Sequence, residues 1–108
     1  MSGDIRLSHQ SLRVLRAFLD SLSEDIRAEM AGADLMSAAR LSSGTLYPIL
    51  LRFERLGLLE SRWESERPEV LGRPRRRFYR MTEAGALVAR NALNDLVSRH
   101  VRPVLEQG

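Results

Sequence analysis

Five arginines, Arg73, Arg75, Arg76, Arg77 and Arg80, fall within eight consecutive positions of this 108-residue chain. All 17 basic residues are arginine and lysine is absent. Genome composition accounts for such a preference in general, yet arginine is also the side chain whose planar fork fits phosphate and the edge of guanine. The formal net charge of +3, with a sequence pI of about 10.5, is a modest excess, so the clustering carries the information rather than the total. Glu64, Glu66 and Glu69 stand close by, and a charge run of this kind also serves as a plain solvated face. Other chemistry is poorly supplied. Without cysteine there is no disulfide framework and no thiolate. The two histidines, His9 and His100, lie near opposite ends of the chain with no metal or triad spacing. Ser43 lacks the flanking glycines of a nucleophile elbow. Neither an enzyme nor a cofactor is expected.

The arginines need elements to hold them. Leu12, Leu15, Leu19 and Leu22, widened by Val14 and Phe18, mark a first helix over residues 8–22 with Ser8 as its N-cap. Residues 23–32 read as a connector with a helical turn near 25–29. A short second helix spans about 33–40, with Leu35, Met36 and Ala39 inward. After a turn at 41–44 comes a third helix over 43–56. Leu46, Ile49, Leu50, Phe53 and Leu56 occupy one arc of it, and Gly44, Tyr47, Leu51, Arg52 and Arg55 the other. Pro48 should remove one hydrogen bond and tilt the helix start, and Gly57 should end it.

The period then changes to two. Residues 58–64 and 76–81 read as strands, joined by a long loop at 65–75 containing Pro68, Gly72 and Pro74. Trp63 and Tyr79 are expected in the core beneath this hairpin, with Met30, Met36 and Met81 as core filler. Thr82 and Glu83 open a last helix that runs to about residue 100, where Pro103 kinks or ends it. No apolar run is long enough for a membrane span, and the start of the chain lacks a signal-peptide pattern, so a cytoplasmic location is expected. The fold expected is mainly α with a small β-hairpin. It is a winged helix-turn-helix over residues 1–81 followed by a C-terminal dimerisation helix over 82–108, in one compact domain.

Two strings carry a family resemblance. Ser42-Ser43-Gly44-Thr45-Leu46-Tyr47-Pro48-Ile49-Leu50, continued by Glu54-Arg55-Leu56-Gly57-Leu58-Leu59, resembles the recognition-helix signature of PadR-type regulators. Gly72-Arg73-Pro74-Arg75-Arg76-Arg77-Phe78-Tyr79-Arg80-Met81-Thr82-Glu83-Ala84-Gly85 resembles that family's wing and the start of its last helix. The match covers about residues 33–85 at the expected separation. Two positions depart from the pattern. Ala33-Asp34-Leu35 stands where the family often has an aromatic-glycine-aromatic step, and Arg40 stands where the turn often has glycine, which leaves room for a differently wound turn. The short C-terminal region resembles the subgroup with a single C-terminal helix.

The resemblance implies a sequence-specific DNA-binding transcriptional regulator. It would act as a repressor, binding double-stranded DNA at an inverted-repeat operator as a homodimer, with release by a small aromatic or drug-like effector. The alternative is a winged-helix module that binds protein, from which the basic wing and Arg52 and Arg55 distinguish it. Ser43, Gly44 and Thr45 would meet a phosphate at the helix N-terminus, unless Ser42 or Ser43 simply caps the helix. Tyr47 would touch phosphate or a base edge, or pack across the turn. Arg52 and Arg55 would reach phosphate or guanine, or pair with Glu54 or Glu60. Arg73, Arg75, Arg76 and Arg77 would line the wing, although alternation with Phe78 turns at least one of them toward the protein. Leu93, Leu96, Val97, Val101 and Val104 exceed the needs of one small core, and Val14 and Phe18 would complete a dimer face. The competing reading packs that stripe onto the chain's own first helix.

Overall fold

A computed structural model describes the backbone of residues 7–107 and the side chains of residues 7–98. The first element, α1 (His9–Glu24), begins where Ser8 accepts a hydrogen bond from the Ser11 amide at 3.1 Å. Its inward face is Ser11, Val14, Leu15, Ala17 and Phe18, while Leu12, Leu19 and Leu22 flank it half-buried. The core thus faces the arc centred on Val14, Leu15 and Phe18, turned from the leucine row that the spacing favours.

The connector does not stay irregular. Met30 and Ala31 form a short strand, β1 (Met30–Ala31), before α2 (Gly32–Ala39) and α3 (Ser43–Arg55). Then follow β2 (Leu59–Trp63), a single helical turn α4 (Pro68–Leu71), β3 (Arg77–Met81) and α5 (Glu83–Gln107). The expected hairpin is therefore part of a three-stranded antiparallel sheet of order β1-β3-β2. Met30 pairs with Tyr79, Leu59 with Met81, and Trp63 with Arg77. α5 runs past Pro103, so the helix does not end there as the sequence suggests. The winged helix-turn-helix is complete: α2, turn, α3, and the β2–β3 hairpin as wing.

The core joins α1, α2 and α3 to the sheet and to the first half of α5. Leu35, Leu46, Leu50 and Phe53 are fully buried in it. Tyr79 and Met81 lie beneath the wing as expected. Gly85 brings α5 onto the start of β2, where a Cβ would run into the Leu58 carbonyl oxygen. Thr82 fixes that junction: its hydroxyl donates to the Gly57 carbonyl at 2.7 Å and accepts from the Gly85 amide at 3.0 Å. Burying each large apolar side chain contributes about 1.5–3 kcal/mol.

Three expectations need correction. Trp63 is 56% exposed, because it sits at the far end of β2 where the hairpin has already left the core. Leu56 is likewise half-exposed, as the C-cap of α3. Val14 and Phe18 are 0% and 2% exposed, inside the chain's own core, so they present no surface to a second copy.

α2 and α3 end in the same way. At α3, the Leu58 amide reaches back to the Phe53 carbonyl at 2.9 Å around a left-handed Gly57 (φ 77°). At α2, the Leu41 amide reaches back to the Met36 carbonyl at 3.0 Å around a left-handed Arg40 (φ 58°). The turn is therefore wound with the left-handed residue after all, with arginine in place of glycine. A non-glycine residue there costs roughly 1–2 kcal/mol. Arg13 braces the turn by donating to the Arg40 carbonyl at 2.9 Å. The departure at 33–35 is resolved at α2's start: the Asp34 carboxylate accepts from the Ala31 amide at 3.1 Å.

Candidate nucleic-acid interface

α3 is anchored by Leu46, Leu50 and Phe53, which turns Gly44, Tyr47, Pro48, Leu51, Arg52 and Arg55 outward. Ser42 is the N-cap residue, but its side chain makes no bond to a helix amide. It instead approaches the Thr45 hydroxyl at 3.4 Å. Without a side-chain cap from Ser42, the Ser43 and Gly44 amides stay uncommitted at the positive end of the helix dipole, while the Thr45 amide already donates to the Ser42 carbonyl at 3.2 Å. Gly44 meets nothing within 4 Å where a Cβ would be, so no packing within the chain asks for glycine there. A bare backbone at that point lets another molecule approach closely.

Tyr47 does both things the sequence offers. Its hydroxyl rests against Gly32, where a Cβ would strike it, so the ring packs across onto α2. Tyr47 nonetheless stays 44% exposed. Arg55 is exposed on the last turn of α3, and so is Arg52.

The wing divides the arginine cluster in two. Arg73 is bound into the loop: its guanidinium donates to both Glu64 oxygens, at 2.6 and 3.0 Å. Glu64 also accepts from the Arg76 amide at 2.8 Å. These hydrogen bonds, from Arg73 first and the Arg76 amide second, hold the Glu64 carboxyl down to about 2. Arg77 turns inward as alternation requires. It donates to the Ser61 hydroxyl at 3.0 Å, lies 3.5 Å from Glu54 Oε2, and stacks over Trp63 at 5.3 Å. Ser61 in turn donates to Glu54 at 2.6 Å, so α3 and the wing are held together through one carboxylate. Glu54 therefore serves the wing. Burial pushes the Tyr79 phenol, on the same face, above its ordinary value.

Arg75 and Arg76 point outward. Arg75 touches the Glu66 backbone carbonyl at 2.9 Å, which leaves its charge uncompensated, and Arg76 extends into solvent. Arg67, which sequence reasoning passed over, lies exposed in the same loop just before α4. Its position between Glu66 and Pro68 hides it from a search for consecutive arginines. Arg80 and Arg62 leave the wing face: Arg80 pairs with Glu60 at 2.9 Å and Arg62 with Glu29 at 2.6 Å. The surface that remains is one helix with a bare N-terminus and two flanking arginines, beside a loop tip with three outward guanidinium groups. No group of His, Cys, Asp and Glu residues among the described residues can hold a metal ion. Nor is any helix long and apolar enough to cross a membrane.

Residues 21–91 match the Transcriptional regulator PadR-like family. The chain belongs to that family. This PadR-like chain is accordingly a DNA-binding transcriptional regulator with a winged helix-turn-helix, not an enzyme. No curated protein matches it in sequence. Solved structures share its fold. A PadR family regulator from Eggerthella lenta DSM 2243 is 24% identical, with TM-score 0.62, over 93% of this chain and 87% of that one. A PadR family regulator from Clostridium difficile R20291 is 19% identical, with TM-score 0.63, over 93% and 97%. NadR, solved in complex with 4-hydroxyphenylacetate, is 20% identical, with TM-score 0.59, over 93% and 70%.

Proposed function

We propose that this PadR-like chain is a cytoplasmic repressor that binds an inverted-repeat operator as a homodimer. The observation that carries the reading is the pairing of an open α3 N-terminus with outward Arg75 and Arg76 on the wing. The helix is sized for the major groove, and the wing loop lies beside it, level with flanking phosphates or the minor groove. Ser43 and Gly44 offer backbone amides to a phosphate, and Thr45, whose amide is held by the Ser42 carbonyl, offers its hydroxyl beside them. Tyr47, Arg52 and Arg55 face the groove. Arg73 and Arg77 shape the wing that Arg75 and Arg76 carry to DNA. Residues 1–81 form the DNA-binding region and 82–108 the dimerisation helix.

Dimerisation rests on α5, whose half-buried Leu93 and Leu96 adjoin an exposed Val97. The side chains of Val101 and Val104, which would extend that stripe, lie outside the described residues. A small aromatic or drug-like effector would release the operator. NadR shows that a related fold takes an aromatic acid. Here a groove of about 900 Å³ between the end of α1 and the start of α5 sets the apolar Leu22, Ile26, Met81 and Leu87 beside charged Glu60, Arg80, Glu83 and Arg90, a mixed surface that suits an aromatic acid.

Titrating duplex DNA at several salt concentrations tests the core of this reading. Binding through several phosphates should weaken steeply as salt rises, with a slope of about −0.9 per phosphate contacted. Flat and negligible binding at low salt would favour the protein-binding module instead. Recovering and sequencing the genomic DNA bound by the protein should return a site with twofold symmetry.

A further inference from the structure

Arg40 holds a backbone position that its side chain does nothing to help. It is the one non-glycine residue with positive φ among the described residues. The same helix-ending motif closes α3 with Gly57, so this chain uses glycine where the geometry is equal. Arg40 lines an open groove with Arg13, Arg16, Asp20 and Glu24 of α1, but among the described residues its side chain forms no ion pair there. The Arg40 side chain is exposed, and its amide and carbonyl make the turn's bonds through backbone atoms that any residue has. A strained backbone position that the surrounding fold tolerates points to work done by its side chain.

The position says what that work is. Arg40 stands two residues ahead of Ser42, the N-cap of α3, on the flank of the recognition helix reached through the helix-turn-helix turn. Arg75 and Arg76 of the wing line a different groove, with Gly32, Ala33 and Tyr47 at the start of α2. Arg13, on α1, donates to the Arg40 carbonyl at 2.9 Å and adds a second cation at the same corner. Its guanidinium holds the turn, which leaves the Arg40 guanidinium to reach outward. We propose that Arg40 is a DNA-contact residue that binds a backbone phosphate on the side of the recognition helix away from the wing. Its charge is what the strained turn preserves. The proposal rests on the DNA-binding reading and extends its footprint to the turn.

Arg40→Gly separates the two roles, because glycine relieves the backbone and removes the charge. The melting temperature should stay the same or rise, since the left-handed conformation is free for glycine. Affinity for duplex DNA should fall several-fold, and the slope of log K against log salt should become shallower by about 0.9. The fall should be equal on operator and random duplex, as a phosphate contact carries no sequence information. Arg40→Lys, which keeps both charge and strain, should retain most of the affinity. If Arg40→Gly melts no lower and binds DNA with unchanged affinity and slope, the proposal is overturned while DNA binding stands. A change in the operator-to-random ratio would also overturn it, because it would mean a base contact. Failure of the wild-type protein to bind any duplex would remove both readings together.

Discussion

At the scale of single residues, the interface is distinguished by side chains, or missing side chains, that the fold does not need. Gly44 is the clearest. No positive φ and no close neighbour requires it, and a Cβ there would meet open space. Gly44→Ala should therefore leave stability unchanged or raise it by up to about 1 kcal/mol of helix propensity, read as an equal or higher melting temperature. The same change should weaken duplex binding by holding the DNA backbone off the α3 amides. Equal affinity in a gel-shift titration would remove Gly44 from the interface. The wing arginines sort by the same logic. Arg75→Ala with Arg76→Ala should cost little stability and flatten the salt slope by about 1.8, two phosphates' worth. Arg73→Ala should instead loosen the loop, because it strips Glu64 of its two closest charged hydrogen bonds. Adjacent arginines on one sequence run thus do different work, and the sequence alone could separate only Arg77, by its alternation with Phe78. Arg73 turns inward because the loop folds back over Glu64, which no period records.

At the scale of elements, the wing is a hairpin whose base is closed by one carboxylate. Glu64 accepts from Arg73 and from the Arg76 amide, and its carboxyl is held at about 2 against an ordinary 4.5. A folded value below the unfolded one means stability that is full above about pH 4.5 and is lost as pH falls toward 2. Glu64→Gln should accordingly speed hydrogen exchange at the Arg76 amide near neutral pH, and the difference from wild type should shrink as pH drops through that window. A difference that persists unchanged at pH 2 would mean the carboxylate charge is not what closes the loop. The helices of this region were legible because Leu46, Leu50 and Phe53 repeat at helical spacing. β1 was not, since a two-residue strand has no period and is held by backbone bonds to β3. Trp63 misled for a related reason. Aromatic type argues for burial, but burial depends on where the hairpin leaves the core, which is a property of the assembled sheet.

At the scale of the whole molecule, the question is what α5 is for. Its inward residues Gly85, Ala86 and Ala89 lie in its first two turns, yet the helix has 25 residues, or about 37 Å. The chain's own core uses the beginning of that length. Beyond it, Leu93 and Leu96 are half-covered and Val97 is 58% exposed. An apolar stripe continuing past the core is what a twofold partner would bury, and two recognition helices would then stand about 34–36 Å apart, one turn of DNA. Val97→Glu should yield a folded monomer by light scattering, with an unchanged far-ultraviolet spectrum and much weaker operator binding. Phe18→Ala makes the contrasting case. Because Phe18 is buried in the monomer, its truncation should cost about 3–5 kcal/mol of stability, read as a fall in denaturant midpoint, without a selective effect on association. If Val97→Glu stays dimeric, the interface lies elsewhere on the molecule. If the wild-type chain is itself a monomer at micromolar concentration, the inverted-repeat operator goes with the dimer, because one recognition helix has no symmetry to read.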